Sequence, residues 1–592
     1  MRMFPIFLLF VSGLVCCQTV FGNYHDTVAQ RYELPVINKK YVHLPVKAGA
    51  HKTWVTVQAD GVTVQEIEIE LAAAEPDYYT TLDVTKWKGQ KLILTAEKVL
   101  TSSRWKTLVK TANVMADEDK VYKEKYRPQF HFSPRRGWAN DPNGLVYYKG
   151  TYHLFFQHVP WGTYFSNTTM SWGHAVSKDL IHWEELPTAI SPDKHGVAFS
   201  GSAVVDWKNT SGLQPHPVTD KQGRLKNPPL VALYTSVAGR RWANYAQSIY
   251  YSADGGTNWQ AYKNNPVMPY QATGGGDRDP KVFWYDNKDG TGQWIMPLYI
   301  KDESFSLFTS PNLLDWKKLC DIDHAGCTEC PNMFELPVDG NKANTRWVFW
   351  GGSGCYLIGT FDGKSFTKEG GPYTATYEGA DYAAQVFSDI PEEDGRCIQM
   401  AWLRGGYPGM PFTQAITLPR VLTLNNTPEG IRLFITPAEE VKQLRQSSPA
   451  RIKGSLTGAS IIIQQVKDEL LDLEITLQIR QDQVSTDSTN SIHLTVGRQQ
   501  INYDPVKQQL AVAHLTAPLA PVNGKIQLRI LLDRTSLEVF ANNGIAALTH
   551  SFVPADHPPA AMTITGKKEL ADFDITAYRL KSIWRKYINN RE

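Results

Sequence analysis

One short pattern recurs along the middle of the chain and constrains its fold more than any other feature. It reads Ser177-Lys178-Asp179-Leu180-Ile181-His182-Trp183, recurs at residues 252–259 and 310–316, and is echoed at 361–366. Each copy lies between two strand-like runs, and its Ser, Asp and aromatic residues are typical of the turn in a repeated hairpin. The spacing fits four-stranded blades and predicts a β-propeller over residues 126–432. A set of unrelated hairpins in a β-sandwich is the alternative.

A separate β domain is predicted before this region. Residues 54–59 and 62–71 alternate between apolar and polar side chains around Asp60-Gly61, a favoured dipeptide for two-residue hairpin turns. We expect this N-terminal β domain to cover residues 23–125 and to end in a polar stretch. At 592 residues the chain is long enough for two to four domains, each with its own core.

A linker helix is predicted after the propeller, within residues 433–449. Thr436-Pro437-Ala438-Glu439 has the form of a capping box with proline at the first helical position. Val441 and Leu444 supply a small apolar face. The pattern therefore indicates a short helix that joins two domains.

The last part of the chain predicts a second β domain over residues 450–592. Residues 471–479 alternate strictly, and residues 526–530 and 537–540 alternate around a turn at 533–535. Strands with one polar face are typical of an antiparallel sandwich rather than of further propeller blades. The expected fold class is thus all-β throughout.

The charges of the chain are nearly balanced. There are 61 basic and 59 acidic side chains, for a formal net charge of +2, and neither sign forms a long run. Nothing therefore predicts binding to nucleic acid or to an anionic membrane surface, and a neutral partner is expected. The 17 tryptophans and 27 tyrosines fit stacking on sugar rings, although packing in β cores accounts for most of them.

The first residues predict export from the cytoplasm. Arg2 precedes an apolar stretch, residues 4–15, that is too short for a stable membrane anchor and is typical of a signal peptide. Removal of residues 1–22 would leave a secreted or periplasmic protein. A lipid anchor on Cys16 or Cys17 at the cell envelope is the alternative, and no other apolar run predicts a membrane span.

Five cysteines follow this segment, at positions 320, 327, 330, 355 and 397. An odd number does not indicate a disulfide framework, although one local bridge is compatible with an oxidising compartment. Cys320, His324, Cys327 and Cys330 lie close together, which leaves zinc as an alternative. Structural zinc sites usually draw on two well-separated pairs of ligands, so neither a metal nor another cofactor is predicted.

Three acidic tripeptides carry the predicted chemistry: Asn140-Asp141-Pro142, Arg278-Asp279-Pro280 and Glu329-Cys330-Pro331. Two carboxyl groups beside one bond are the minimum for cleaving a glycosidic linkage, and a third can stabilise the cation that forms. Proline after Asp141 excludes helical geometry there, and Asn143-Gly144 predicts a tight turn into residues 145–148. Each tripeptide alone is more often an ordinary loop, so the prediction depends on their combination.

In their residues and in their order along the chain, these motifs resemble those of glycoside hydrolase family 32, the group of invertases, inulinases and levanases. The resemblance rests on residues 138–144, Phe199-Ser200-Gly201-Ser202 and the two later acidic tripeptides, with support from 171–177 and Leu418-Pro419-Arg420. It covers about residues 129–581. The resemblance implies a five-bladed β-propeller followed by a β-sandwich, with the N-terminal β domain as an addition.

The resemblance also implies a role for each acid. Asp141 matches the nucleophile, Glu329 the general acid/base, and Asp279 a transition-state stabiliser bound to sugar hydroxyls. A retaining reaction through a covalent fructosyl intermediate would follow, with the two reacting carboxyl groups roughly 5 Å apart. Asp141 then has to be ionised while Glu329 holds a proton. Ala139 and Asn332-Met333-Phe334 depart from the usual family wording, which affects the expected pocket shape more than the reaction.

Further candidates lie inside or beside these motifs. The predicted substrate contacts are Asn140, Gln157, Trp161, Phe199, Ser200 and Arg278. The candidates for stacking platforms are Trp138, Trp172 and Trp242, with packing between blades as an equal alternative.

The expected function is that of an exported, retaining β-fructofuranosidase. Its expected partner is a fructose-containing oligo- or polysaccharide such as levan or inulin, with sucrose as a further substrate and exo release of fructose. A fructosyltransferase that uses the same intermediate and a non-catalytic sugar-binding propeller are the alternatives. Selection between β-2,1 and β-2,6 linkages depends on loops around the funnel, for which the motifs make no prediction.

Overall fold

Nearly all regular structure in the described part of the chain is β, as predicted. The computed structural model describes residues 26–238, 244–270, 276–377, 379–485 and 490–584. The helices described are Trp105–Leu108, which is α, and the 3-10 turns Thr85–Trp87, Glu118–Lys120, Glu439–Leu444, Gln481–Gln483 and Asn542–Gly544. None of them has the length and apolar character that a membrane crossing needs. The expected signal peptide, with Cys16 and Cys17, lies outside the described residues.

Two antiparallel sheets form the N-terminal unit. The first contains, in spatial order, Thr27–Leu34, Leu92–Leu100, Thr53–Ala59 and Val62–Ile69, and the second contains Tyr78–Asp83, Tyr41–Val46 and Lys110–Ala112. The predicted hairpin is confirmed, because Ala59 pairs with Val62 across Asp60-Gly61, both with positive φ. Every second side chain of Thr53–Ala59 is buried, and these side chains form a core with those of the second sheet.

Four antiparallel groups of four strands follow one another along the central region. The first is Gly137–Tyr148, Thr151–Val159, Ser171–Ser177 and Trp183–Ile190, and the second is Val197–Val205, Leu230–Ala238, Asn244–Ser252 and Gln260–Ala261. The third is Phe283–Asp286, Gly292–Lys301, Ser304–Ser310 and Lys317–Ile322, and the fourth is Asn332–Val338, Asn341–Trp350, Cys355–Phe361 and Phe366–Thr374. In each group successive strands are hydrogen-bonded neighbours.

A fifth group completes the central region. It contains Asp381–Val386, Cys397–Leu403, Arg420–Thr427 and Gly430–Pro437, with the short strand Ala415–Ile416 beside it. One parallel pair, Val338 with Leu424, joins this group to the fourth. The short strand Phe412–Thr413 instead pairs with Gly137–Tyr148 in the first group.

The predicted repeats occupy equivalent places. Each copy forms the turn between the third and fourth strands of its group. In the first copy Asp179 Oδ1 accepts a hydrogen bond from the Ile181 N–H, and the indole N–H of Trp183 donates to the carbonyl three residues earlier. Trp259 and Trp316 each donate to a carbonyl at the same spacing. The turn chemistry read from the sequence is therefore confirmed.

The first strands of the five groups, or the residues beside them, contact neighbouring groups. Hydrogen bonds between neighbouring groups join Asn143 to Gly201, Ser202 to Pro280, Asn332 to Ala384 and Leu145 to Ser388. The last of these bonds connects the fifth group back to the first. The arrangement brings the starts of these strands close together in space.

The segment around Asp141 differs from the sequence prediction in one respect. The tight turn expected at Asn143-Gly144 does not form, because Gly137–Tyr148 is one strand with two irregularities in its pairing to the next strand. Gly144 has a φ of +52°, and a Cβ there would lie 2.6 Å from the ring of Phe155. Glycine therefore permits close packing in an irregular strand rather than a turn. The turn itself lies at Lys149-Gly150.

The predicted linker helix is shorter than residues 433–449 and begins later. Thr436 and Pro437 end the strand Gly430–Pro437, and a 3-10 helix follows over Glu439–Leu444 without a side-chain cap. The capping-box prediction was wrong because Thr436 pairs with Val421 of the neighbouring strand. That tertiary pairing outweighs a local capping signal.

The C-terminal region contains two six-stranded antiparallel sheets, the sandwich predicted from the alternating pattern. One sheet has the order Ala450–Ser455, Ala571–Arg579, Leu471–Ile479, Lys525–Asp533, Ser536–Ala541 and Ala546–Ser551. The other has the order Ile461–Ile463, Met562–Thr565, Ile492–Val496, Gln499–Asp504, Gln509–Val512 and Leu515–Pro518. Their inward side chains form one buried apolar cluster.

Buried charged side chains connect the central region to this sandwich. Arg420 donates to Glu538 Oε1 at 2.6 Å and to Asp381 Oδ2 at 2.7 Å. His131 lies between Glu538 and Asp533, with its ring nitrogens 2.9 and 2.8 Å from their carboxylate oxygens. Because each charge has opposite partners, the desolvation cost of burying them is offset.

Candidate active site

The three predicted acids meet around the thiol of Cys330. Its Sγ atom lies 3.7 Å from Asp141 Oδ2 and 3.6 Å from Asp279 Oδ2. The Cys330 backbone N–H also donates to Asp279 Oδ2 at 3.2 Å, and Glu329 is the adjoining residue. The Asp141 carboxyl group and the Cys330 thiol, 189 residues apart in sequence, are thus held in one small volume.

Each acid lies in the first strand of its group or a few residues before it. Asp141 is inside Gly137–Tyr148, while Asp279 and Glu329 lie shortly before Phe283–Asp286 and Asn332–Val338. Hydrogen bonds between neighbouring groups at these strands bring the acids together. The shared position explains why motifs from three separate groups converge.

The backbone at two of the acids is in the left-handed region. Asp279, Glu329 and Cys330 have φ values of 65°, 56° and 43°, which are uncommon for residues other than glycine. The Asp279 N–H is held by a 3.0 Å hydrogen bond to Thr235 Oγ1. Unfavourable backbone conformations of this kind persist where the surroundings impose them, and they cluster at functional sites.

Two donors orient the carboxylate of Asp141. Ser200 Oγ donates to Oδ2 at 2.6 Å, and Asn140 Nδ2 donates to Oδ1 at 3.0 Å. Burial raises the pKa of Asp141 above its usual value, and the charge of Glu329 raises it further, whereas these two hydrogen bonds lower it. The ionised state expected of Asp141 is therefore opposed by burial in the free protein and favoured by its donors.

Asp279 is also buried, and its pKa is raised to about 7. Burial is the main cause, opposed by the nearby Arg278 guanidinium and reinforced by the charges of Glu329 and Asp141. Asp279 and Glu329 thus share the neighbouring Arg278 cation. The arrangement favours a proton within the cluster at neutral pH.

Glu329 takes most of the contact with that cation. Arg278 donates to Glu329 Oε1 through Nε at 3.1 Å and Nη2 at 2.5 Å, and its guanidinium lies 4.4 Å from the ring centroid of Tyr299. The hydroxyl of Tyr382 donates to Glu329 Oε2 at 2.5 Å. Both oxygens of the carboxyl group are therefore fixed in place.

The other predicted sugar contacts separate into two kinds. Asn140, Ser200 and Arg278 bond directly to the acids, as described above. Gln157 is buried and donates to the Ala198 carbonyl at 3.0 Å, so in this structure it holds the neighbouring strand. The two aromatic candidates, Trp161 and Phe199, belong to an apolar cluster shared with the N-terminal unit, and Phe199 is only half-buried.

The three stacking candidates also differ. Trp172 is fully buried and donates its indole N–H to the Phe199 carbonyl, which is the packing alternative. Trp138 is half-buried, donates to Asn140 Oδ1 at 2.7 Å and meets the rings of Phe165 and Trp402 edge-on. Trp242 lies outside the described residues.

The cysteine cluster resolves into one disulfide and two free, partly exposed cysteines, Cys320 and Cys330. Cys327 is bonded to Cys355, with a Cα separation of 5.8 Å, which accounts for the local bridge that the sequence allowed. This bond removes Cys327 from the ligands of the zinc alternative at Cys320, His324, Cys327 and Cys330. The disulfide instead braces the loop that carries Glu329.

Two family models match most of the chain. The model for the glycosyl hydrolases family 32 N-terminal domain matches residues 131–437, and the model for the family 32 C terminal matches residues 440–577. The chain belongs to glycosyl hydrolase family 32. As a family 32 member it is a glycoside hydrolase, and the matches leave the N-terminal unit outside.

Relatives of known name agree with the family 32 assignment. A levanase from Bacillus subtilis (strain 168) is 38% identical over 523 residues, which cover 81% of this chain and 74% of the levanase. An extracellular exo-inulinase from Aspergillus niger is 32% identical over 533 residues, covering 78% and 96% of the two chains.

Solved structures show the same fold over the same part of the chain. The exo-inulinase of Aspergillus awamori superposes with a TM-score of 0.68 at 29% identity, covering 78% of this chain and 100% of that one. A fructofuranosidase variant of Schwanniomyces occidentalis, complexed with fructosylnystose, has a TM-score of 0.66 at 26% identity and covers 78% and 99%. The family 32 domains, a propeller and a sandwich, therefore account for about four fifths of this chain.

Sequence reasoning missed three residues that hold the family 32 acids. Tyr382 and Thr235 lie in strand-like segments with no motif, and only the folded chain brings them to Glu329 and Asp279. Cys330 belongs to the tripeptide Glu329-Cys330-Pro331, but the sequence did not indicate that its thiol lies between the carboxylates of Asp141 and Asp279. The signal present in the sequence was the cysteine next to Glu329 in the acidic motif.

Proposed function

We propose that this chain is a retaining β-fructofuranosidase that hydrolyses fructans from the chain end and releases fructose. The convergence of Asp141, Asp279 and Glu329 around Cys330 is the observation that carries the proposal. Two carboxyl groups beside one bond supply a nucleophile and an acid, and the third is available to bind sugar hydroxyls.

Asp141 is assigned as the nucleophile because Ser200 and Asn140 orient both of its oxygens. An Asp141 oxygen forms a bond to the anomeric carbon while the bond to the leaving oxygen breaks, and Glu329 gives its proton to that oxygen. Water then attacks the anomeric carbon, Glu329 takes a proton from it, and Asp141 leaves as a carboxylate. Two displacements retain the configuration, which suits carboxyl groups roughly 5 Å apart.

Asp279 is assigned as the stabiliser of the transition state. It is buried beside Arg278, and its pKa of about 7 gives a mixture of protonated and ionised forms at neutral pH. Either form can hydrogen-bond a sugar hydroxyl, one as donor and the other as acceptor. Such bonds can strengthen as positive charge develops on the sugar ring.

We infer that the central region is a closed propeller of five blades. Its five antiparallel groups of strands and the hydrogen bond from Ser388 to Leu145, which links the fifth group to the first, support this inference. Closure matters for function because it places the acids at the shared mouth of one funnel.

The proposed substrate class follows from the relatives. The levanase and exo-inulinase named above act on fructans by their names, and the related fructofuranosidase was solved with fructosylnystose. The nearly balanced charge of this chain fits such a neutral polymer. We infer exo action from the exo-inulinase relatives, with sucrose as a further substrate.

Export is part of the proposal. The Cys327–Cys355 disulfide is typical of an oxidising compartment, and the Aspergillus niger relative is named as extracellular. Whether residues 1–22 are removed as a signal peptide or leave a lipid anchor on Cys16 or Cys17 is decided by mass spectrometry of the mature N-terminus.

Digestion of levan, inulin and sucrose, followed by chromatography, tests the function. Fructose alone as product supports exo hydrolysis, whereas a ladder of oligomers indicates endo attack and longer fructosyl chains at high sucrose indicate a transferase. The anomeric configuration of the first product, read by NMR, tests retention. Absence of any product from all three substrates would refute enzymatic action on fructans and favour a sugar-binding protein.

The assigned residues are tested with substitutions that keep side-chain shape. Asp141→Asn and Glu329→Gln are each expected to lower kcat by roughly 1,000-fold or more while leaving the fold intact. Glu335→Gln is the matched control, because Glu335 is an exposed residue in the strand that follows Glu329. Wild-type turnover in either active-site variant would refute the assignment.

A further inference from the structure

The N-terminal unit and the catalytic region share one buried apolar cluster. Side chains of the N-terminal sheets, among them Val55 and Val57, belong to the same cluster as Val159, Trp161 and Met170 of the central region. Relative motion is the usual expectation for neighbouring domains unless their interface is large and apolar. Here the shared core indicates that the N-terminal unit is a fixed part of the catalytic body.

This contact centres on the loop of residues 160–170, which joins Thr151–Val159 to Ser171–Ser177 and has no regular secondary structure. Long loops of this kind depend on contacts outside their own backbone for a single conformation. The N-terminal unit supplies such contacts near the loop's beginning. Thr80 Oγ1 donates to the Pro160 carbonyl at 2.8 Å, and Lys52 Nζ lies 3.7 Å from the ring centroid of Tyr164.

Glu68 makes the largest set of bonds to the loop. Its Oε2 atom accepts hydrogen bonds from Ser166 Oγ at 2.8 Å and Thr168 Oγ1 at 3.0 Å, and its backbone carbonyl accepts one from the Tyr164 hydroxyl at 2.7 Å. Ser166 is only 2% exposed, so its bond to the carboxylate is shielded from water. One residue of the N-terminal unit thus fixes three positions of the loop.

The fixed segment carries a partly exposed aromatic ring beside Trp138. Phe165 lies between the anchored Tyr164 and Ser166, and 42% of its surface is exposed. Its ring meets that of Trp138 edge-on, with centroids 6.1 Å apart. Trp138 in turn donates to Asn140, which donates to Asp141. Trp138 and Asn140 therefore connect Phe165, by direct contacts, to Asp141, the proposed nucleophile.

We propose that Glu68 is a positioning residue for substrate binding and that the N-terminal unit serves as a support of the active-site wall. It holds the 160–170 loop so that Phe165 presents an apolar face to the sugar chain beside Trp138. The inference rests on the proposed fructan hydrolysis, and it gives the N-terminal unit a role that the family 32 domains do not cover. Because Glu68 does not touch the acids, its loss should weaken binding rather than slow the chemistry.

Steady-state kinetics of Glu68→Ala with 1-kestose test this role. We expect KM to rise roughly tenfold with kcat nearly unchanged, because two charge-assisted hydrogen bonds to the loop are lost. Glu68→Gln keeps an acceptor oxygen and should fall between the variant and the wild type. Glu75→Gln is the control, since it removes an exposed charge from the same unit and should leave KM unchanged.

A second readout separates this inference from the proposed function. Hydrogen exchange of residues 160–170 should be faster in Glu68→Ala than in the wild type, whether or not the enzyme acts on fructans. If Glu68→Ala fails to fold, the double variant Ser166→Ala, Thr168→Val removes the same bonds from the loop side. It should show the same rise in KM and in exchange.

Defined results would overturn the proposal. Unchanged KM together with unchanged exchange of the loop would show that Glu68 does not position it. A fall in kcat with KM unchanged would place the effect on the chemistry instead. If the wild type releases no product from fructans, the proposed function fails, while faster exchange in Glu68→Ala would still support the anchoring of the loop.

Discussion

Ser200 Oγ donates a 2.6 Å hydrogen bond to Asp141 Oδ2 from a strand 59 residues away in sequence. The bond stabilises the ionised carboxylate and lowers the pKa of Asp141, while burial, the larger effect, raises it. Two neighbouring groups of strands therefore cooperate in keeping the proposed nucleophile charged. The same geometry makes the pH dependence of the reaction testable.

Ser200→Ala should move the acidic limb of kcat/KM to higher pH. Removing the donor raises the pKa of Asp141, so a higher pH is needed to ionise it. A pH profile of kcat/KM measures the free enzyme directly. Ser455→Ala is the control, because its hydroxyl donates to the Asp572 carboxylate in the C-terminal sandwich instead. An acidic limb that stays in place would contradict the role of Ser200.

Cys330 should behave as a buried neutral thiol rather than as a nucleophile. Burial raises the pKa of its thiol well above the usual value, and the charges of Asp279 and Asp141 raise it further. We expect the native protein to resist iodoacetamide at Cys330 at pH 8, with rapid labelling after unfolding, as read by mass spectrometry. Fast modification of Cys330 in the folded enzyme would show that its thiolate is accessible.

Stability should decline at alkaline pH through His131. Burial lowers the pKa of His131, but hydrogen bonds to Asp533 and Glu538 outweigh it and raise the pKa to about 9. The contribution of protonated His131 to the free energy of unfolding is on the order of 3 kcal/mol. It is complete below the pKa of about 6.5 that His131 has in the unfolded chain, and it is lost as the pH rises through about 9. Unfolding temperature measured from pH 6.5 to 9.5 should fall more steeply in the wild type than in His131→Gln. Equal slopes would contradict the prediction.

Reduction of the Cys327–Cys355 disulfide should destabilise the loop that carries Glu329. The bond closes a loop with a sequence separation of 28 residues, for which chain entropy gives about 3 to 4 kcal/mol. In calorimetry, the double variant Cys327→Ala, Cys355→Ala should unfold at a lower temperature than the wild type. On heating, it should lose activity before it unfolds globally. Cys320→Ala, which removes a free cysteine, is the control. The prediction fails if the double variant and the control unfold at the same temperature.

Local sequence information was sufficient for the N-terminal hairpin and for the repeated turns. The alternation around Asp60-Gly61 and the repeat at Ser177 to Trp183 correspond to observed hairpins because side-chain period and turn chemistry are properties of a few adjacent residues. The predictions that were wrong concern residues at which a contact with a distant part of the chain competes with a local signal. Thr436 was read as a helix cap but pairs with Val421, and Asn143-Gly144 was read as a turn but lies in a strand.

The sequence by itself determined the chemical types at the site and their order along the chain: three carboxyl groups, one arginine and the turns that hold them. Only the tertiary structure decided which side chain donates a hydrogen bond to which acid, such as Tyr382 to Glu329. It also decided that the N-terminal unit holds the 160–170 loop. The physical reason is the distance along the chain over which each effect acts. Periodicity and turn propensity act over a few residues, whereas the contact between Asp141 and Cys330 spans 189 residues and exists only in the folded chain.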